Sequence, residues 1–350
     1  MLPDPPAAPL RLRLDADALA DNWRALDRIC ASARVGAAVK ADAYGLGATR
    51  VVPVLAAAGC RDWFVAHWCE VPEVVAHVPG AAIAVLHGPL DDADVAFARA
   101  TGARPVLNSL LQVARWRAGG GGPCHVMVDT GINRLGLAMD DLGDPLLAGL
   151  DIDLCLSHLA SADEDVAQNA EQLARFQTVC AAVSARRYSL ANSAGIALGS
   201  AYHADLTRPG IALYGGIVRR ELAGVVRGVA SPEAAVLQIR DLNPGDRVGY
   251  NATFTAPRAM RLGVIALGYA DGYLRCWSNR GTLQRGAAHL PVVGRVSMDL
   301  TAVDLTDAPD VREGDWLALD YDLPGAATAS GLSQYELLTL LHQRFSRFTA

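Results

Sequence analysis

Lysine is almost absent from this chain. Its 350 residues carry 31 basic side chains, and Lys40 is the single lysine among them. Arginine therefore supplies ordinary positive charge. A guanidinium does not deprotonate in proteins, so arginine cannot stand in where a neutral amine must attack a carbonyl. Lys40 closes the apolar run Val35–Val39, where desolvation lowers an ammonium's pKa toward nucleophilic use. A chance survivor in an arginine-biased sequence belongs on a polar face. The placement points instead to a Schiff-base lysine, whose obvious carbonyl partner is pyridoxal 5'-phosphate.

Other scarcities exclude whole classes. The chain has no long basic run, its net charge is −6 and its pI near 5.7, so nucleic acid and anionic membrane are excluded as expected partners. No stretch approaches the ~20 apolar residues of a membrane-spanning helix. The seven cysteines are odd in number and include no Cys-x-x-Cys pair. That pattern disfavours a disulfide framework or a zinc site and predicts reduced thiols in a cytoplasm. Cys124 and Cys155 lie in apolar runs and read as small core residues. The opening Met1-Leu2-Pro3-Asp4-Pro5-Pro6 has an early acid and no apolar centre, so it does not read as a signal peptide.

What is present is a rhythm. A short alternating strand, Leu10 to Leu14, is followed by a helix with apolar positions Leu19, Trp23, Leu26 and Ile29, for which Asp17 is the expected cap. From Val35, short apolar runs alternate with helical patterns. The runs are Val35–Val39, Trp63–Ala66, Ile83–Leu86, Pro105–Leu107, His125–Val128, Ile152–Leu156, Tyr188–Ala191 and Ile211–Tyr214. None alternates in polarity, as expected of strands buried on both faces. Leu110, Val113 and Trp116 share a helix face ahead of Gly119, and Ser161 to Glu164 spells a capping box before the next helix. The expected fold is α/β, a (β/α)8 TIM-type barrel over 10–222. After Gly216 turn signals recur, and segments such as Val248-Tyr250-Ala252-Phe254 and Val293-Arg295-Ser297-Asp299 alternate. These predict a second, mostly β domain over 223–350, which the N-terminal strand 1–14 could join.

Barrel chemistry belongs at the C-terminal strand ends. Lys40 and Tyr44 follow the first run, Arg134 the fifth, His158 the sixth, Asn192 and Ser193 the seventh, and Arg208-Pro209-Gly210-Ile211 lies at the eighth. The Ser193 hydroxyl and the Gly210 backbone suit a phosphate, across the mouth from an amine. Singly, His158 is as well read as a satisfied core histidine and Ser193 as a helix cap. Their convergence carries the weight.

The stretch Ala38-Val39-Lys40-Ala41-Asp42-Ala43-Tyr44-Gly45-Leu46-Gly47 resembles the cofactor-attachment motif of the alanine racemases. The resemblance continues through Val128 to Gly136, Ser157 to Asp163, Asn192-Ser193, Arg208 to Gly215, Val248 to Phe254, Gly268 to Gly272, Gly294 to Asp299 and Tyr335-Glu336. It implies a pyridoxal-phosphate barrel joined to a β domain, working as a head-to-tail homodimer with shared active sites. It implies racemisation of alanine by two acid–base groups on opposite faces of a planar cofactor, Lys40 and the partner's tyrosine corresponding to Tyr250. A phenol's free pKa is near ~10, so such a tyrosine is expected beside positive charge. Arg208 would face the pyridine nitrogen and favour return of the proton to Cα, with His158 holding it in plane. Tyr44, Ser193, Tyr335 and the backbone of Gly210 and Ile211 would take the phosphate. Arg134 and the backbone N–H of Met298 would take the substrate carboxylate. Tyr250, Tyr269, Arg275, Arg295, Asp163 and Tyr335 match positions lining the access corridor, and bulky rings there favour alanine over larger amino acids.

One departure matters. Where many members carry a carbamylated lysine that orients the carboxylate-binding arginine, this chain has Met127. A thioether carries no charge, so Arg134 is expected to be held by Asn133, a bound chloride or water. The stretch His67-Trp68-Cys69 also departs from the family pattern. Three alternatives stay open: a racemase of serine or another small amino acid, a non-catalytic pyridoxal-phosphate carrier, and a decarboxylase. A barrel-only carrier would lack Tyr250 and Met298. A decarboxylase would need a cysteine beyond the barrel, and Cys276 is the one available.

Overall fold

The computed structural model describes residues 6–341 and 343–349. The chain divides into two compact units, one of residues 17–227 and one that joins the N-terminal segment through Ala16 to residues 228–350.

In the first unit, seven parallel strands pair in sequence order: Ala37–Ala38, Trp63–Val65, Ile83–Val85, Arg104–Leu107, Cys124–Met127, Ile152–Leu156 and Arg187–Ser189. An eighth parallel strand, Leu206–Thr207, pairs with Arg34–Val35. The ring closes through main-chain bonds on either side of it. Gly36 N–H donates to Thr207 O and Ala38 N–H to Pro209 O, both at 2.9 Å. On the other side Asp205 N–H donates to Tyr188 O at 3.0 Å and Arg208 N–H to Ala191 O at 2.9 Å. This is a (β/α)8 barrel. Most of its strands are buried along their length, as in Trp63-Phe64-Val65 and Ile152 to Leu156, which is why their sequences show no alternation.

Three local expectations are corrected. Ile211–Tyr214 is a 3-10 turn, not the eighth strand. It is buried on every side and stops at Gly215, whose φ of 87° is left-handed. A short apolar run has no period to tell a buried turn from a buried strand. Asp17 lies inside the helix Ala16–Cys30, in its first turn, where a carboxylate meets the positive helix end without capping it. Ser161 to Glu164 forms a separate turn. The helix it was expected to cap begins at Ala167, after Val166, with no side-chain cap. The helix Leu110–Ala118 does match expectation, capped by Ser109 and burying Val113 and Trp116.

The second unit is built on a strand of alternating burial. Leu10, Leu12 and Leu14 are buried and Arg11 and Arg13 exposed. This strand runs antiparallel to Ala230–Leu242 and parallel to Ser346–Thr349. The sheet order is Ala288–Pro291, Thr282–Arg285, Trp316–Leu319, Ala230–Leu242, Leu10–Leu14, Ser346–Thr349. Past a register shift between Val236 and Gln238, Ala230–Leu242 also pairs with Met260–Ile265, which pairs with Thr301–Asp304. The alternating segments around Tyr250 and Arg295 are not strands. Only Arg247–Val248 and Phe254–Thr255 pair, and Tyr250–Ala252 between them is a 3-10 turn. Gly249, Asn251 and Ala252 have positive φ, as does Gly294 in the second segment, so the chain turns where polarity alone suggested extension. Among the described residues no helix is long and apolar enough to cross a membrane. All seven cysteines are free, with Cys124 and Cys155 fully buried.

Candidate active site

The first barrel strand ends in a left-handed turn. Ala41, Asp42, Ala43 and Tyr44 have φ between 52° and 58°, a conformation that costs an L-residue roughly 1–2 kcal/mol. Four in a row persist only if the surroundings over-determine them. Gly45 N–H donates to Ala41 O and Gly47 N–H to Asp42 O, both at 2.9 Å. The Asp42 carboxylate accepts from Ala48 N–H at 2.6 Å. The Glu70 carboxylate accepts from Ala41 N–H at 2.5 Å and, through its other oxygen, from Ala66 N–H at 2.7 Å and His67 N–H at 2.9 Å.

The turn sets Lys40 at the barrel mouth. Burial holds its ammonium below the ordinary lysine range, aided by the guanidinium of Arg134 and then of Arg208, with Glu70 opposing. The amine is thus biased toward the uncharged form that nucleophilic or basic use requires.

Arg208, just past the eighth strand, is buried and held by acceptors already in place. One guanidinium nitrogen donates to Ser189 Oγ at 2.5 Å and another to the Ser157 carbonyl at 2.6 Å, with His158 Nδ1 at 3.4 Å. Burial lowers its pKa to about 10. His158 is pushed down to about 3 by burial and by the charges of Arg208, Arg134 and Lys40. Its ring is therefore neutral and can offer Nδ1 as an acceptor. The shorter bonds to Ser189 and Ser157 do most of the orienting. The sequence reading missed both serines, although each is a polar residue at the end of an apolar strand run.

Ser193 begins the helix Ser193–Ala197, capped by Asn192. Its buried hydroxyl receives Gly210 N–H at 2.9 Å and Ala212 N–H at 3.2 Å. A Cβ on Gly210 would fall 2.1 Å from the Tyr44 hydroxyl, so only glycine lets this backbone lie against the phenol. The Tyr44 ring is fixed 4.8 Å from that of Tyr214. The Ser193 hydroxyl, the Tyr44 phenol and the Gly210 backbone meet in one small polar cradle.

Arg134 follows the fifth strand on a loop organised by Asp129. That carboxylate accepts from the amides of Gly131 (2.8 Å), Ile132 (3.0 Å) and Arg134 (3.1 Å). Asn133 is left-handed, with φ 54°. Among the described residues no side chain bonds the Arg134 guanidinium, and Met127 is buried at the end of the fifth strand. Asn133 therefore does not anchor it. At the second and third strand ends, His67 and His87 meet edge to face with ring centroids 4.2 Å apart.

The remaining expected residues stand in the β unit. Tyr250 is 66% and Met298 53% exposed, and Tyr335 is 42% exposed on the helix Gln334–Thr339. Met298 is pinned through its carbonyl, which receives Ala270 N–H at 3.0 Å, and a Cβ on Gly268 would lie 2.2 Å from that oxygen. Arg275 lies over the Tyr269 ring at 5.3 Å.

Two family models match the chain: alanine racemase, N-terminal domain, over residues 14–218, and alanine racemase, C-terminal domain, over 229–349. The chain belongs to the alanine racemase family. It is 43% identical to the alanine racemase of Acidiphilium cryptum across 96% of this chain and 97% of that one. It is also 43% identical to the biosynthetic alanine racemase of Agrobacterium fabrum, across 97% and 93%. The alanine racemase of Bartonella henselae, solved with covalently bound pyridoxal phosphate, superposes with a TM-score of 0.90 at 36% identity, covering 99% of this chain and all of that one. The biosynthetic alanine racemase of Pseudomonas aeruginosa superposes at 0.89 with 31% identity.

Proposed function

We propose that this family member interconverts L- and D-alanine with pyridoxal 5'-phosphate held on Lys40, and that Lys40 and Tyr250 are its two acid–base groups. The observation that carries the reading is the constellation around the sole lysine: a depressed amine, a buried guanidinium held by Ser189 and Ser157, and a glycine-floored polar cradle. These residues fit the cofactor. Ser193, Tyr44 and the amides of Gly210 and Ile211 would hold its phosphate, Arg208 would face its ring nitrogen, and Lys40 would hold its aldehyde carbon. When bound, the cofactor supplies an electron sink that loosens the proton on the substrate's Cα.

The chain's own residues supply the rest. On one face the Lys40 amine would hold or return the proton at the substrate's Cα. The Tyr250 phenol does so on the other, so a proton removed from one side is replaced from the opposite side. Arg134 and the Met298 amide orient the carboxylate and so fix which bond to Cα is labile. Arg208, a cation that does not give up a proton, favours return of the proton to Cα. A tyrosine and a methionine left this exposed on one chain are suited to completing the site of a second copy, and we assign the assembly as a homodimer that shares active sites in this way. Free, scattered thiols suit a reducing cytoplasm.

The test is direct. Purified protein should be yellow, and borohydride should fix the cofactor's mass on the peptide carrying Lys40. Optical rotation of L-alanine should decay, and that of L-serine far more slowly. Tyr250→Phe should keep the colour and lose at least ~100-fold in kcat. Fixation on any other peptide, or stable rotation of L-alanine, would sink the assignment.

A further inference from the structure

The residue that follows His67-Trp68-Cys69, the stretch after the second strand, reaches the turn that carries Lys40. We propose that Glu70 is a positioning residue for Lys40, clamping the left-handed turn to the second barrel strand and placing a fixed negative charge beside the amine. The proposal rests on the reading of Lys40 as an acid–base group.

The geometry assigns the clamp. One Glu70 oxygen takes Ala41 N–H, the first amide of the left-handed turn, and the other takes the amides of Ala66 and His67 at the second strand's end. A carboxylate that accepts from amides of two loops fixes their separation, and its charge-assisted bonds are stronger than neutral ones. It comes from a rigid support. Glu70 ends the 3-10 turn Trp68–Glu70, and the Trp68 indole N–H donates to the Gly88 carbonyl at 2.9 Å, tying this turn to the third strand's loop. His87 in that loop is held in turn, its N–H on Ala66 O and its carbonyl receiving Gln112 Nε2 at 2.8 Å.

The charge matters as much as the clamp. Lys40 faces Arg134 and Arg208, which repel its ammonium, and Glu70, which attracts it. His158 and His87 also lie within range, and each is held toward its neutral form in part by Lys40 itself. Glu70 is thus the opposing charge in a surround otherwise hostile to a cation. A group that must both take and release a proton needs that balance. With repulsion alone, Lys40 would stay an amine and accept the α-proton poorly.

The single lysine makes the test clean. Reductive methylation of the apoprotein with 13C-formaldehyde labels Lys40 and the α-amino group only, so NMR reads the Lys40 titration without cofactor. Glu70→Gln should lower the Lys40 pKa by on the order of one pH unit and speed hydrogen exchange at the Gly45 and Gly47 amides at least ~tenfold. Glu70→Asp keeps the charge but is one methylene short. It should keep most of the pKa while losing the amide protection. An unchanged Lys40 titration and unchanged protection in Glu70→Gln would overturn the proposal. Should that variant fail to fold, full turn protection in Glu70→Asp would overturn the clamp. Because the titration needs no cofactor, its failure is distinct from failure of borohydride fixation at Lys40.

Discussion

At the scale of single residues, the site is an exercise in supplying acceptors before charge arrives. Arg208 meets a serine hydroxyl, a main-chain carbonyl and a neutral imidazole. Gly210 is the tightest point. A Cβ would sit 2.1 Å from the Tyr44 hydroxyl and 2.8 Å from the ring carbon that bears it. Gly210→Ala should therefore lose cofactor affinity by at least ~tenfold, about 1.4 kcal/mol, read as absorbance of bound pyridoxal phosphate. Removing the hydroxyl with Tyr44→Phe should not rescue it, because the ring carbon still collides. Wild-type affinity in Gly210→Ala would mean the cradle is softer than its contacts indicate. Arg134 invites a second measurement. Among the described residues its guanidinium has no side-chain partner, so KM for alanine should vary across a chloride series, while flat kinetics would argue against an anion as that partner. Lys40 was legible because a unique amine at the end of an apolar run sits where burial works against its charge, and only chemistry recovers that cost. Glu70, Ser157 and Ser189 were not, because each acts through the main chain or through another side chain, and such bonds have no spacing signature.

At the scale of elements, the same physics separates what the pattern revealed from what it hid. Leu10 to Leu14 was readable because one face is covered and one is wet, so polarity tracks the pleat. Leu12, 1% exposed between Ala230–Leu242 and Ser346–Thr349, sits where that face is most enclosed. Leu12→Ala should cost about 2–5 kcal/mol by urea denaturation, against roughly 0.5 kcal/mol or less for Arg13→Ala on the exposed face. Equal costs would mean the strand is not a core element. The misread pieces have two causes. Ile211–Tyr214 is wholly buried and so has no face to betray its period. Tyr250 and Arg295 alternate in polarity with their neighbours although positive-φ residues bend the chain there. Where burial is total, or where backbone conformation overrides polarity, a pattern of apolar and polar residues stops encoding geometry. Asp17 and Ser161 to Glu164 were misread for a different reason, since a polar residue near a helix start does not say which turn it belongs to.

At the scale of the whole molecule, the barrel has two differently built ends. Its C-terminal end gathers the candidate site, and its N-terminal end is closed by a network of charges. Asp153 accepts from Arg104 at 2.6 Å and Arg187 at 2.7 Å. Arg187 also bonds Asp62 at 2.7 Å, and Arg34 lies 3.0 Å from the same carboxylate. His125 is buried among them, its Nδ1 4.0 Å from Asp153. Burial opposes the ionisation of Asp153, but Arg187, with lesser help from Arg104, outweighs it and keeps its pKa below the usual carboxylate range. Burial drives His125 well below its ordinary value, with Arg104 and Arg187 adding to the effect and Asp153 working against it. Both shifts tie stability to pH in the same direction. Below an ordinary histidine pKa of ~6.5 the unfolded chain takes up a proton that folded His125 refuses, so stability falls as pH drops through that value. The loss approaches about 1.4 kcal/mol per pH unit for one such group. His158 adds a loss of the same sign, and Asp153 joins only below pH ~4, where unfolded carboxylates protonate. The urea midpoint should therefore begin to fall between pH 7 and 5, before carboxylates titrate. Replacing His125 with glutamine, which takes up no proton in either state, should flatten that early slope even where it lowers stability overall. A midpoint level from pH 7 to 5 in the unsubstituted protein would show that His125 gains its proton in the folded barrel, and that the closed end is wetter than its packing implies.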